Sequence, residues 1–145
     1  MDIFFDTNVL VAASVQSHPH HAQSWSTLQR VANKEDRGFI SAHSIAEIYA
    51  ALTRLPVQPR IHPIDAERMI LRNLLPHFEI IPIEGTDYVD AVKSVASYGW
   101  GGAKIYDALL LRCAAKCAVD RIYTFNLGDF RLLASAEILA KICSP

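Results

Sequence analysis

Short apolar runs alternate with longer segments of helical periodicity along the whole chain, and this alternation constrains the fold more than any other feature. The runs DIFF, FIS, FEIIPI and RIYTF are rich in aromatic and β-branched residues, which favours strands. Their apolar residues are consecutive, as in strands that are buried on both faces, and FEIIPI is the clearest example. The sequence therefore predicts an α/β fold in which helices cover both sides of a central, mostly parallel sheet.

The helical segments have recognisable limits. We expect helices in TNVLVAASV, in the stretch from Ala22 to Ala32, and in AHSIAEIYAALTRL, DAERMILRNLL, TDYVDAVKSVASYG and AKIYDALLLRCAAKCA. Thr86 is the predicted N-cap of the fifth of these helices, and Gly99 its predicted end. The proline-rich segment PVQPRIHPID predicts a stiff connector, NLGDF a turn, and ILAKICSP a short last strand.

Length and charge limit the classes of function. A chain of 145 residues fits a single domain spanning residues 1–145, and its net charge of −1 lacks the basic excess of proteins that hold nucleic acid by bulk charge. Contacts to phosphate would have to be local. The sequence contains neither a signal segment nor an apolar run long enough to cross a membrane, so we expect a cytoplasmic protein. The three cysteines fit reduced thiols, with Cys113 and Cys117 in the core.

Four carboxylates follow or lie close to predicted strand ends. Asp6 ends the first strand, and Glu47 lies early in the helix after FIS. Asp107 lies near the beginning of the helix after YGWGG, and Asp129 follows RIYTF. Because strand-to-helix turns of a parallel sheet emerge at one edge, these acids are predicted to converge there.

Each acid also has a purely structural interpretation. Asp6 could cap a helix, and Asp107 could interact with a helix dipole. Ser44 and Glu47 have capping-box spacing, and Asp129 could be a turn residue. Four carboxylates on one edge repel one another unless a cation holds them, however, and oxygen ligands of this kind suit Mg²⁺ or Mn²⁺.

The motifs DTNVL, SIAEIYAAL, YDALLLRCAA and TFNLGDF resemble, in order and spacing, the four acidic motifs of the PIN-domain nucleases. The resemblance spans nearly the whole chain, and the length is most similar to the VapC-type toxins of type II toxin–antitoxin pairs. It implies a PIN-like three-layer α/β/α sandwich. It also implies a Mg²⁺- or Mn²⁺-dependent endoribonuclease that leaves 5′-phosphate and 3′-hydroxyl ends.

The resemblance further implies roles for individual residues and partners. Asp6, Glu47, Asp107 and Asp129 would be the catalytic, metal-binding acids. The supporting residues would be Thr7, Asn8, Ser44, Thr124 and Asn126. The implied partners are an RNA substrate, a small antitoxin that covers the acidic crevice, and a second copy of the chain in a homodimer.

Two other functions remain open on the sequence. A catalytically silent PIN-like module would bind RNA or protein without cutting, but such a module is expected to lose one of the acids, and none is lost here. A phosphatase of the haloacid-dehalogenase type also begins with an aspartate after the first strand. It needs a second aspartate two residues later, where this chain has Asn8.

Several residues near the motifs are candidates for secondary roles. Lys104, three residues before Asp107, could pair with that acid or meet a substrate phosphate. Trp100 could stack on an unpaired base, although packing against the sheet or a subunit is the favoured interpretation, and Arg54 could belong to a local basic rim. The cluster His18, His20 and His21 could suggest a transition-metal site, but a polar helix start without a companion thiolate favours the structural interpretation.

Overall fold

A computed structural model describes all 145 residues of the chain. Its centre is a five-stranded sheet in the order β3-β2-β1-β4-β5, and every neighbouring pair of strands is parallel. The prediction of a central parallel sheet is therefore confirmed. The strands are β1 (Asp2–Phe5), β2 (Arg37–Ser41), β3 (Phe78–Ile81), β4 (Arg121–Tyr123) and β5 (Ile142–Cys143).

Helices cover both faces of the sheet. They are α1 (Thr7–Ser14), α2 (His21–Ala32), α3 (Ala42–Arg54), α4 (Pro63–Arg68), α5 (Gly85–Ser97), α6 (Lys104–Ala115), α7 (Leu127–Leu133) and α8 (Ala136–Leu139). A π-helical stretch, Met69–Leu74, and a 3-10 turn, Leu75–His77, connect α4 to β3. No helix has the length and apolar character that crossing a membrane requires.

Strand β1 shows why the chain forms three layers. Successive side chains of a strand point to opposite faces. Ile3 and Phe5 accordingly belong to the core shared with α1, α2 and α3, whereas Phe4 belongs to the core shared with α6 and α7. All three are buried. Consecutive apolar residues in β1 thus supply both cores of a sandwich.

Strand β3 differs from its prediction. FEIIPI looked like the most buried strand, but the sheet order places β3 at an edge, where Glu79 is exposed and Ile80 is 41% exposed. Sheet order depends on contacts between distant segments, so the local apolar pattern could not reveal it.

Other differences concern helix ends. Helix α5 begins at Gly85, and its N-cap is Glu84, two residues before Thr86, in a capping box with Asp87, so the predicted Thr86 cap is wrong. Gly99 follows the helix with a φ of +71°, a left-handed conformation that suits glycine. NLGDF supplies the N-cap and the first turn of α7 instead of forming an isolated turn. The predicted last strand is confirmed as β5, after the short helix α8.

Candidate active site at the carboxyl edge of the sheet

The carboxyl edge of the sheet opens into a cavity of about 730 Å³. Three of the four predicted acids, Asp6, Glu47 and Asp107, line it. Asp129 does not line the cavity, but it lies beside Asp107 because the amide nitrogen of Asn126 donates hydrogen bonds to both carboxylates, at 2.9 Å to Asp107 and 3.2 Å to Asp129. Residues more than 120 positions apart are thereby brought into one cluster.

Asp6 occupies the N-cap position of α1, as the structural interpretation expected, but its side chain makes no capping hydrogen bond. The register of β1 and β4 explains its actual partner. Phe5 lies opposite Tyr123, and the next residues of the two strands, Asp6 and Thr124, are therefore neighbours. The Thr124 hydroxyl donates to Asp6 Oδ2 at 2.6 Å, and Asp6 is only 4% exposed.

Glu47 lies in the second turn of α3. The N-cap of that helix is Ser41, whose hydroxyl accepts from the His43 backbone N–H, so the predicted capping box of Ser44 and Glu47 is wrong. Glu47 instead accepts a hydrogen bond of 2.6 Å from the Thr7 hydroxyl. Ser44 is buried inside the helix, and its hydroxyl has no hydrogen-bond partner.

The segment after β4 is organised by the Thr124 hydroxyl. Its oxygen accepts from the Asn126 backbone N–H at 2.9 Å and from the Asn8 side-chain amide at 3.4 Å. The side-chain amide oxygen of Asn8, Oδ1, in turn accepts from the Phe125 backbone N–H. The two asparagines of the sequence motifs therefore join the turn after β1 to the turn after β4.

Lys104 forms an ion pair with Asp129, not with Asp107. Its ammonium also lies 5.8 Å from the centre of the Trp100 ring, which stacks on Tyr98 and packs against the contact of α5 and α6. Trp100 does not line the cavity, and it packs against helices instead of the expected sheet or subunit. The Lys104 ammonium and the Asn126 amide hold the pKa of Asp129 below its ordinary value.

The electrostatics of the cavity favour a cation. Burial raises the pKa of Asp6 to about 7, although the Thr124 hydrogen bond opposes the rise, and the charges of Asp107 and Glu47 add to it. Burial and the charges of Asp129 and Glu47 raise the pKa of Asp107 to about 6. Carboxylates that oppose one another's ionisation in this way are stabilised by a bound cation.

The donor set also fits a hard metal ion, because its donors are oxygen atoms. No three His, Cys, Asp or Glu side chains are already arranged around one point as ligands of an ion. The carboxylates would therefore have to rotate, or reach an ion through water. The role of the four acids as metal ligands stays a prediction.

The cavity has further lining residues that the sequence motifs did not reveal. His43 and Tyr106 stack with their rings nearly parallel, at 7° and 5.5 Å between centres, and His43 Nε2 lies 3.3 Å from Glu47 Oε1. Arg54, a predicted substrate contact, also lines the cavity. The spacing of four residues between His43 and Glu47 on one helix is the sequence feature that could have indicated their contact.

Two of the three histidines near α2 contact each other, since the rings of His18 and His20 lie 5.8 Å apart between centres. His18 lines the cavity, and His20 stacks on Phe125 at 4.3 Å between ring centres. His21 Nδ1 lies 3.0 Å from the Ala12 carbonyl oxygen. His18 is therefore the member of the cluster that lines the acidic cavity, and His21 contacts the backbone of α1.

The model of the PIN domain family matches residues 3–135. The chain therefore belongs to the PIN domain family. Ribonuclease VapC23 of Mycobacterium tuberculosis is 32% identical over 124 residues, which cover 86% of this chain and 92% of the relative.

Solved structures have the same fold. The crystal structure of Mycobacterium tuberculosis VapC20, a sarcin-ricin loop cleaving toxin, superposes with a TM-score of 0.68 at 19% identity and covers 94% of this chain and 98% of that one. VapBC2 from Rickettsia felis, bound to a DNA fragment from its promoter, has a TM-score of 0.66 at 19% identity and covers 100% and 99%. These matches confirm the predicted three-layer α/β/α fold.

Proposed function

We propose that the protein is a metal-dependent endoribonuclease that hydrolyses RNA phosphodiester bonds and acts as the toxin of a type II toxin–antitoxin pair. The observation that carries the proposal is the gathering of Asp6, Glu47 and Asp107 in one open cavity, with Asp129 joined to Asp107 through Asn126. Membership of the PIN domain family, and relatives named as ribonucleases, support it.

The proposal assigns Asp6, Glu47, Asp107 and Asp129 to Mg²⁺ or Mn²⁺, directly or through water. When bound, the ion supplies activation of a water molecule and neutralisation of the charge that develops on the phosphate oxygens. Oxygen donors and the raised pKa values of two of the acids support this assignment.

The remaining motif residues act by positioning the acids. The Thr7 hydroxyl orients the Glu47 carboxylate, and the Thr124 hydroxyl orients the Asp6 carboxylate.

The amides act on the same cluster. Asn126 fixes the separation of Asp107 and Asp129, and Asn8 joins the turn after β1 to the turn after β4. Ser44, buried one turn before the glutamate, is the remaining supporting residue of the proposal.

The partners follow from the same assignment. We propose an RNA substrate, a homodimer, a cytoplasmic location and a single PIN domain over residues 1–145. A small antitoxin protein that places a basic side chain in the acidic cavity is supported by the likeness to the VapBC2 complex.

The test is cleavage of RNA by purified protein with Mg²⁺ or Mn²⁺, followed by sequencing of the cleaved ends. We expect products with 5′-phosphates and loss of cleavage in Asp6→Asn and Asp107→Asn. Asp65→Asn is the control, because Asp65 is an exposed acid on α4 whose only ion pair is with Arg68. Equal cleavage by all these proteins would overturn the proposal. Folded, metal-binding wild type that cuts no RNA would favour the silent binding module instead.

A further inference from the structure

Two aromatic rings border the acidic cavity next to the proposed cleavage site. Tyr106 immediately precedes Asp107 on α6 and is 47% exposed. His43 covers one face of its ring in a nearly parallel stack, and the contact between His43 and Glu47 holds the imidazole in place. A flat, accessible aromatic surface therefore lies directly beside the acids.

One face of α3 forms a wall of the same cavity. His43, Glu47, Ala50 and Arg54 all line it, at spacings of four, three and four residues, which place them on a single side of a helix. From the first to the last, the helix rises by about 16 Å. At about 3.4 Å per nucleotide in a stacked strand, this length spans several nucleotides.

The order of groups along the wall matches the chemistry of a single-stranded nucleic acid. From the first turn of α3 onward, the aromatic pair of His43 and Tyr106 comes first, the Glu47 carboxylate of the proposed ion site follows, and the guanidinium of Arg54 lies at the far end. The small side chains Ala46, Ala50 and Ala51 leave the space between these groups open. Proteins that bind single strands combine cationic contacts to phosphates with aromatic rings on which bases stack.

We propose that Tyr106, supported by His43, is a stacking site for one unpaired base next to the scissile phosphate, and that Arg54 binds a neighbouring phosphate of the same strand. The inference rests on the proposed nuclease function and adds to it a preference for RNA with unpaired nucleotides. A base inside a duplex has both faces covered by its neighbours, so this site selects phosphodiester bonds beside an unstacked nucleotide in a loop, bulge or single strand.

The experiment places the fluorescent base 2-aminopurine at successive positions of a short single-stranded RNA. Binding is measured with Mg²⁺ on an Asp6→Asn background, so that the RNA stays intact. We expect quenching at one position in particular, because stacking on an aromatic ring quenches this base. Adding Tyr106→Leu abolishes that quenching and weakens binding about tenfold, whereas Tyr106→Phe retains both.

Tyr88→Leu is the matched control, since Tyr88 is 44% exposed on α5 and does not line the cavity. It leaves quenching and affinity unchanged. An abasic nucleotide at the quenched position weakens binding by the Tyr106 protein but causes no further loss in the Tyr106→Leu protein, since both changes remove the same contact. Quenching and affinity that are unchanged in Tyr106→Leu would overturn the inference.

The binding and cleavage results separate the two proposals. If wild type cuts RNA and Tyr106→Leu neither loses the quenching nor changes the preference for unpaired sites, the stacking site is wrong and the nuclease stands. If wild type cuts no RNA, the nuclease proposal fails. Position-specific quenching that depends on Tyr106 would then still establish the base-binding site.

Discussion

At the scale of single residues, the Thr124 hydroxyl holds the two central turns of the site together. It donates to Asp6 and accepts from Asn126 and Asn8, while the residue itself is fully buried. Because the hydroxyl is buried, water molecules cannot replace the three hydrogen bonds that it makes. Its loss leaves buried polar groups unsatisfied.

Thr124→Val tests this role with little change of volume. We expect the free energy of unfolding to fall by about 1–3 kcal/mol, because a buried carboxyl and a backbone N–H each lose a partner. The Thr124 hydrogen bond lowers the pKa of Asp6, so its loss raises that pKa further. The pH below which the cleavage rate falls should therefore be higher in the variant than in wild type.

Chemical denaturation and a pH–rate profile measure these two effects. Thr86→Val is the control, since Thr86 is exposed on α5 and does not line the acidic cavity. A variant with normal stability and an unchanged pH profile would show that the Thr124 hydroxyl does not support Asp6.

Asp6 makes stability depend on pH. Its pKa is raised from an ordinary value near 3.8 to about 7 in the folded chain, so the folded state binds the proton more tightly than the unfolded state. The free energy of unfolding should therefore fall as pH rises from about 4 to about 7, and level off above that range. The decrease due to this carboxyl is at most a few kcal/mol.

Asp6→Asn should remove this decrease and give a protein more stable than wild type at pH 8 without divalent ions. Denaturation at several pH values in the presence of a chelator measures it. If wild type and variant show parallel pH dependence, the Asp6 carboxyl is not the group responsible.

The identity of the candidate acids could be predicted from the sequence, because their motifs are local and the strand ends that carry them meet at one edge. The ion-pair partner of Lys104 could not be predicted from the sequence. Helical spacing pointed to Asp107 three residues away, whereas the packing of α6 against α7 brings Asp129 to the ammonium. The stacking of Tyr106 on His43 could not be predicted for the same reason, since it joins two helices that are distant in sequence.

At the scale of elements, the strands and long helices were predictable because their periodicity is local. Their ends were less so, since Ser44 and Thr86 have good capping chemistry but other residues occupy the actual cap positions. Helix α7 was missed because NLGDF is composed of turn-forming residues, and its helix is stabilised by the burial of Phe130.

The packing of β2 against β3 and α2 depends on the absence of a side chain at Gly38. A Cβ atom there would lie 2.5 Å from Phe78 Cε1 and 2.8 Å from Val31 Cγ1. We expect Gly38→Ala to lower the free energy of unfolding by about 1–3 kcal/mol through overpacking. Thermal denaturation measures it.

Gly85→Ala provides the matched control. A Cβ at Gly85 meets no atom within 4 Å, and the residue begins α5. Alanine there should leave stability unchanged or slightly higher, because alanine favours helix more than glycine does. Equal stability of the two variants would show that the sheet relaxes around Gly38 at no cost.

At the scale of the whole molecule, a metal that binds only the folded acid cluster stabilises the entire fold. We expect Mg²⁺ or Mn²⁺ at one hundred times its dissociation constant to add about 2.7 kcal/mol to the free energy of unfolding at pH 8. At pH 5 the gain should be much smaller, because Asp6 and Asp107 then carry protons.

Thermal denaturation with and without the ion at both pH values measures this linkage. Asp107→Asn should lose the shift at pH 8, and Asp65→Asn should keep it. A shift that is equal at both pH values, or that persists in Asp107→Asn, would place the bound ion outside the acid cluster.

The central position of β1 has a consequence for protein synthesis. Its neighbour on one side is β4, and the hydrogen bond from Thr124 to Asp6 joins residues 118 positions apart. At about 5–20 residues per second, the ribosome needs on the order of ten seconds to make the second partner after the first. A nascent chain therefore carries an incomplete acid cluster for most of its translation, and a truncated product that stops before β4 never completes it. The fold itself delays the appearance of the site until the chain is nearly finished.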